Sequence, residues 1–384
     1  MATRKKGTAA AALAIAVGLA LSACSPAVST SVKTSASSAP GVGGSAIGFI
    51  MVGPKDDFGY NQAVYEGSQV IAKKYPKLKV LTAENVPEDD TAATTMEQMI
   101  SRGAKIIFAT SYGHLDAALK VAAAHPDVVV IQQGNTIAGK IPTNSGTYFG
   151  TVYEPMYLAG IAAGLGTKTN KLGYVYAFPI PQTIANINAF ERGAQTVNPK
   201  VTTVTVATNS WCDPAAQSEA AKSLLSQGAD VLTQHQDCTS TVIKAAESAG
   251  AMTVGYHANA ESLAPKGWLT GAVWNWGPLY TKIVQTVLDG KFVGSEFNAN
   301  YRVGYKTGTN PFVLAPYGPD VTTASKDKIT AAKAFLTTEK GSPFVGPVLD
   351  QTGATKVSDG VVPTYSEIDA MDYFVQGVVG NLAK

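Results

Sequence analysis

Two stretches of this chain read alike at a spacing of 125 residues. Ile47-Gly48-Phe49-Ile50 has its counterpart in Leu172-Gly173-Tyr174-Val175, and Met99-Ile100-Ser101-Arg102-Gly103-Ala104-Lys105-Ile106-Ile107 has its own in Leu224-Leu225-Ser226-Gln227-Gly228-Ala229-Asp230-Val231-Leu232. Gly48 precedes Gly103 by 55 residues, and Gly173 precedes Gly228 by the same 55. Between them Glu66-Gly67 matches Arg192-Gly193 with one residue of slippage. Within each copy, short β-branched or aromatic runs alternate with longer helical stretches, the pattern of a parallel α/β sheet. Gly103 and Gly228 sit where a helix ends, and a residue without Cβ suits the left-handed cap. Two copies of a βαβαβ unit therefore predict an α/β fold of two Rossmann-like lobes with a hinged cleft between them. A length of 384 residues accommodates two such units.

The chain should cross between lobes near Tyr148–Glu154, near Val273–Trp276 and once more after Arg302. This assigns 46–152 plus part of 273–384 to one lobe, and 153–272 plus the remainder to the other. In open parallel sheets ligands sit beyond the carboxyl ends of the strands, so both sets of ends should face the cleft.

The first 23 residues read as a secretory signal. Arg4, Lys5 and Lys6 precede an apolar run from Ala9 to Leu21, too short to span a bilayer. Leu21-Ser22-Ala23-Cys24 resembles a lipobox, which implies cleavage before Cys24 and lipidation of its sulfur. Residues 24–45, rich in Ser, Thr, Ala and Gly, then read as a flexible tether. The expected location is the extracytoplasmic face of the cell membrane, held there by the lipid anchor only. Without the signal, 27 basic residues face 28 acidic ones. Such a balance lacks the basic footprint of a nucleic-acid-binding protein.

Catalytic and cofactor signatures are absent from the sequence: there is no Gly-x-Ser-x-Gly, no phosphate-cradling Gly-x-x-x-x-Gly-Lys-Ser/Thr and no His-Glu-x-x-His. The four histidines, His114, His125, His235 and His257, show no metal-ligand spacing. No cofactor and no metal are expected. His235 and Asp237 alternate onto one face of a strand end, where a polar contact outweighs an acid–base pair. Cys212 and Cys238 follow two predicted strands of the second copy, and an exported protein meets an oxidising environment. A disulfide between them is favoured over two buried thiols. It would stabilise by roughly 3–4 kcal/mol on the chain-entropy model.

Aromatic and polar residues gather at predicted strand ends. Asp56-Asp57-Phe58-Gly59-Tyr60-Asn61-Gln62 follows the first strand, and Ser111-Tyr112-Gly113-His114 another. Trp211 and Asp213 follow a third, and Trp274-Asn275-Trp276-Gly277-Pro278 follows a crossing. Ring faces beside amides and carboxylates suit a flat polar heterocycle, which stacks on the rings and meets donors and acceptors at its edge.

These passages, with Tyr153-Glu154 through Leu158-Ala159-Gly160, Trp211-Cys212-Asp213-Pro214 and Gln234-His235, resemble the basic membrane protein family of purine-nucleoside-binding lipoproteins. The likeness runs from Ile47 to the low 300s. It implies a type I periplasmic-binding-protein architecture, a monomer that takes a purine-like ligand, and an ABC permease as partner. It also implies that Tyr60 stacks on the base and Asn61 bonds it. Where the family usually carries an acid for ribose hydroxyls, this chain has His257-Ala258-Asn259, which shifts the expectation toward a free base. The expected ligand-binding set is Phe58, Tyr60, Asn61, Tyr112, Glu154, Trp211, Asp213, Asp237, His257, Asn259, Trp274 and Trp276. A sensor that presents its closed form to a signalling receptor is the alternative, with an enzyme third.

Overall fold

The computed structural model describes residues 39–382. The signal, Cys24 and most of the tether lie outside them. Its strands run β1 (Ala46–Ile50), β2 (Lys79–Ala83), β3 (Ala104–Ala109), β4 (Val129–Gln133), β5 (Ser145–Gly150), β6 (Lys171–Tyr176), β7 (Thr202–Ala207), β8 (Val231–His235), β9 (Met252–His257), β10 (Trp268–Trp274), β11 (Asn300–Val303), β12 (Phe312–Leu314), β13 (Val348–Leu349), β14 (Thr355–Val357) and β15 (Val378–Val379). The helices are α1 (Tyr60–Lys74), α2 (Asp90–Ser101), α3 (Leu115–Ala124), α4 (Tyr153–Gly166), α5 (Pro181–Gln195), α6 (Pro214–Ser226), α7 (Ser240–Ser248), α8 (Gly277–Leu288), α9 (Thr323–Leu336) and α10 (Tyr365–Ile368).

One sheet has the order β2-β1-β3-β4-β5-β11, the other β15-β7-β6-β8-β9-β10-β12. Every pairing in them is parallel except β10 with β12. The shared order 2-1-3-4-5 is the structural form of the sequence repeat. Strand alternation divides each sheet between two apolar layers. In β1, Ile47 and Phe49 enter one core while Ala46 and Ile50 enter another.

The repeat holds at single residues. A Cβ on Gly48 would meet Met99 and Ile107; one on Gly173 would meet Leu224 and Leu232, their counterparts 125 positions later. Gly103 and Gly228 follow their helices at φ +92° and +89°, a region that disfavours any residue with a Cβ.

The two halves exchange helices. After β5 the chain leaves the first sheet, and α4 packs against α5 beside the second; after β10 it returns, and α8 packs against α1. The aligned glycines sit at these contacts: a Cβ on Gly193 would strike the Tyr157 carbonyl of α4, and one on Gly67 the Trp276 and Tyr280 side chains. The third passage runs from β11 to β12. From Ser342 onward the chain packs on α5 and the outer edge of the second sheet. Arg192 donates to the carbonyls of Pro343 and Val345 (2.6 and 3.0 Å), and β15 extends the sheet beside β7. Among the described residues no helix is long and apolar enough to cross a membrane.

Candidate functional site

The carboxyl ends of both sheets converge on one cavity. From the first sheet come Val52, Tyr60, Ser111, Tyr112, Gly134 and Phe149; from the second come Ile180, Gln182, Trp211, His235, Asp237 and His257. Each lies at, or within ten residues after, the end of β1, β3, β4, β5, β6, β7, β8 or β9. The walls leave about 30 Å³, space for a water or two and well short of a bicyclic base. A planar guest therefore enters only when the two sides part.

Four of the polar contacts between the two sides lie at the cavity. Asn61 Nδ2 donates to Asp57 Oδ2 (2.8 Å) on its own side and to Asp237 Oδ2 (3.1 Å) opposite. The Thr239 hydroxyl donates to the Phe58 carbonyl (2.5 Å), Trp211 Nε1 to Glu88 Oε2 (3.4 Å), and Gln182 Nε2 to the Gly134 carbonyl. Asp57 also accepts from the backbone N–H groups of Gly59, Asn61 and Gln62, satisfying the open start of α1. That cap fixes Tyr60 at the first position of the helix, its ring 5.1 Å from His257.

The site is neutral to acidic. Among the described residues no Lys or Arg lines the cavity, so it offers no counter-charge to a phosphate. Burial pushes the His235 imidazole down to about 3, and burial with the nearby His235 holds His257 well below its usual range. Both rings are thus neutral near pH 7. Trp274 Nε1 donates to His257 Nδ1 (2.8 Å), leaving the ring proton on Nε2, which lies 3.8 Å from Asp237 Oδ1. Asn186 Nδ2 similarly donates to His235 Nδ1 (3.0 Å). Burial, then the charge of Asp57, raises the Asp237 carboxyl well above the usual range. The cavity thus presents ring faces, imidazole N–H donors, an amide and a carboxyl group.

Of the twelve residues expected to bind the ligand, Tyr60, Tyr112, Trp211, Asp237 and His257 line this cavity, as does His235, read from the sequence as a polar contact of Asp237. The other seven stand elsewhere. Asn61 lies one layer behind, its amide divided between two carboxylates while its carbonyl accepts from Gly53 N–H. Phe58 is 42 % exposed beside the closing Thr239 contact. Asp213 caps α6, accepting from the N–H groups of Ala215 and Ala216 (3.0 Å each), and Asn259 accepts from Glu261 N–H. Glu154 is buried between two interlobe passages, bonded to Thr151, the Tyr305 N–H and Asn310. Trp274 and Trp276 stack on each other at 4.1 Å behind Phe149. Cys212 and Cys238 are disulfide-bonded.

Sequence reading passed over Phe149 and Gln182. For Phe149 a signal existed: it precedes Trp274 by 125 residues, the repeat spacing, and their rings meet at 4.9 Å. Gln182 follows the helix-starting Pro181, a position that carries no chemical signature of its own.

Two sheets of one topology, joined by three passages and closing on a ring-lined cavity at their strand ends, define a two-lobed solute-binding protein. The chain belongs to the family described as ABC transporter substrate-binding protein, PnrA-like, whose model matches residues 45–309. It is 32 % identical over 340 residues to a purine-binding protein of Brucella abortus, covering 88 % of this chain and 93 % of that one. It is 31 % identical to a putative ABC transporter glucose-binding protein of Haloferax volcanii, covering 85 % and 78 %. An ABC transporter solute-binding protein of Conexibacter woesei shares the fold, with a TM-score of 0.62 at 22 % identity over 76 % of this chain and 95 % of that one. The family binds small molecules outside the cytoplasm on behalf of a permease, and the chain is a solute-binding protein, not an enzyme.

Proposed function

We propose that this chain captures an uncharged purine-like heterocycle between its lobes and delivers it to an ABC permease while held at the membrane by a lipid on Cys24. Residues 46–152 with part of 273–384 would move against 153–272 with the remainder. The observation that carries the ligand class is one cavity lined by Tyr60 from the first sheet and Trp211 from the second, together with Asp237 and His257 and with no cation among the described lining residues. Rings bind a flat guest by its faces, and neutral donors with a carboxyl group read its edge. The purine-binding relative from Brucella abortus supports the same class. With His257 in place of a carboxylate, the sequence favours a free base over a nucleoside.

Titration calorimetry with adenine, hypoxanthine, adenosine and glucose tests this. A purine base should bind tightest. Tyr60→Ala and Trp211→Ala should each weaken it by about tenfold, the scale of one lost aromatic stack with its buried area. Glucose binding without purine binding would instead place the chain with the relative from Haloferax volcanii. For the anchor, Cys24→Ser should move the protein from the membrane fraction to the soluble one. An unchanged distribution would remove the lipid from the proposal.

A further inference from the structure

The disulfide lies beside the cavity, away from the lobe cores. Cys212 directly follows Trp211, and Cys238 directly follows Asp237; both Trp211 and Asp237 line the cavity. The bridge, with its Cα atoms 5.3 Å apart, thus ties the segment after β7 to the segment after β8 at the two residues that would grip a guest. Asp237 N–H donates to the Trp211 carbonyl (2.8 Å), so the two backbones run side by side.

Hydrogen bonds also join the two segments, Gln236 Nε2 donating to the Thr208 hydroxyl (2.6 Å) and Gln217 Nε2 to the Asp237 carbonyl (2.8 Å), but the bridge is the one covalent tie between them. Trp211 and Cys212 are only half-buried, and Asn209 stands at φ +54° in the same segment. The Trp211 indole touches Phe178 edge-on at 5.2 Å and reaches Glu88 only across the cleft, a contact that is lost when the lobes part. Cys238 is itself held at φ +53°, uncommon for a residue with a Cβ. Immediately beyond it, Thr239 donates to the Phe58 carbonyl of the opposite lobe.

We infer that the Cys212–Cys238 bridge is a positioning element of the binding site. It holds the Trp211 ring at a fixed distance from the Asp237 carboxyl group while the cleft is open, so that the guest meets a preformed half-site. This rests on the proposed purine-like ligand, because Trp211 and Asp237 are taken as its contacts. Preorganisation of this kind raises affinity by removing an ordering step from binding.

The test compares the oxidised wild type, the wild type reduced with a phosphine, and the double variant Cys212→Ser/Cys238→Ser. Adenine is the calorimetric probe, at a temperature where circular dichroism shows all three folded. Reduction and the double variant should each weaken adenine binding by about tenfold. In a Trp211→Ala background, breaking the bridge should change affinity by less than about twofold, because the ring it positions is gone. Equal affinity with and without the bridge would overturn the inference, as would a loss of the same size in both backgrounds. Unfolding of both bridge-free forms would also overturn it, making the link a fold stabiliser. Oxidised wild type that does not bind adenine would instead overturn the purine reading, and this inference with it.

Discussion

Gly193→Ala is expected to destabilise the protein by roughly 2 kcal/mol or more, although the same change in an ordinary helix interior stabilises by about 0.5–1 kcal/mol. The sign reverses because α4 and α5 touch through their backbones. A Cβ on Gly193 would strike the Tyr157 carbonyl, one on Gly160 the Phe190 carbonyl, and one on Gly164 would come within 2.6 Å of the Ala194 carbonyl. A backbone oxygen cannot rotate aside as a side chain does, so the two helices would have to separate. Every residue of α4 from Tyr153 to Gly164 is buried, leaving little slack on its other faces. The first turn of α5 places Gln182 in the cavity, and Asn186 one turn later holds His235. The variant should therefore lose ligand affinity as well as stability. Urea denaturation gives the stability directly, and a midpoint at or above that of the wild type would refute the tight helix contact. Gly67→Ala is the internal comparison. It meets the Tyr280 ring at 2.8 Å and the Trp276 Cβ at 2.9 Å, farther than the backbone oxygen that Gly193 would strike, and should destabilise less than Gly193→Ala.

The paired glycines were legible in the sequence as a repeat but not as a helix exchange. Parallel strands, doubling and the glycine-terminated helices all follow from patterns of apolar residues and spacing. The crossing near Tyr148–Glu154 already sends α4 to the second lobe, but which helix it packs against does not follow, because a helix that is apolar on every side states that it is buried without stating against what. The candidate site divides along a similar line. Aromatic residues just past strand ends were visible, and Tyr60, Tyr112 and Trp211 stand in the cavity. Carboxylates were ambiguous, since a helix start and a ligand edge both call for an acceptor. Asp213 before Pro214 has the spacing of an N-cap and is one, while Asp237 is turned into the cavity. The Trp274–Trp276 pair shows the same limit for rings. Only the packing decides whether an indole faces a guest or another indole, and here the two stack together.

Glu191→Gln should raise stability at pH 8 and leave it nearly unchanged near pH 4.5. Glu191 is fully buried on α5 and accepts from the Thr203 hydroxyl (2.6 Å) and from Gln195 Nε2 (2.7 Å). Gly377, ahead of β15, lies against its carboxyl group, and no cation of the described chain is placed to neutralise it. Burial lifts its pKa from 4.5 to about 7. The folded protein therefore holds a proton that the unfolded chain releases between those two values. Stability falls as the pH rises through that window and levels off above it. The rise corresponds to roughly 3 kcal/mol at pH 8, an upper bound that relaxation around the carboxylate reduces. A glutamine keeps the shape and the hydrogen-bonding capacity without the charge, so the variant should lack this loss. Thermal midpoints across pH 4.5–8 should diverge steadily, with the variant ahead at the alkaline end. Two parallel curves would show instead that water or a shifted C-terminal segment already solvates the carboxylate. The second sheet, with the half of the binding site that it carries, would then hold together without regard to the protonation of its core.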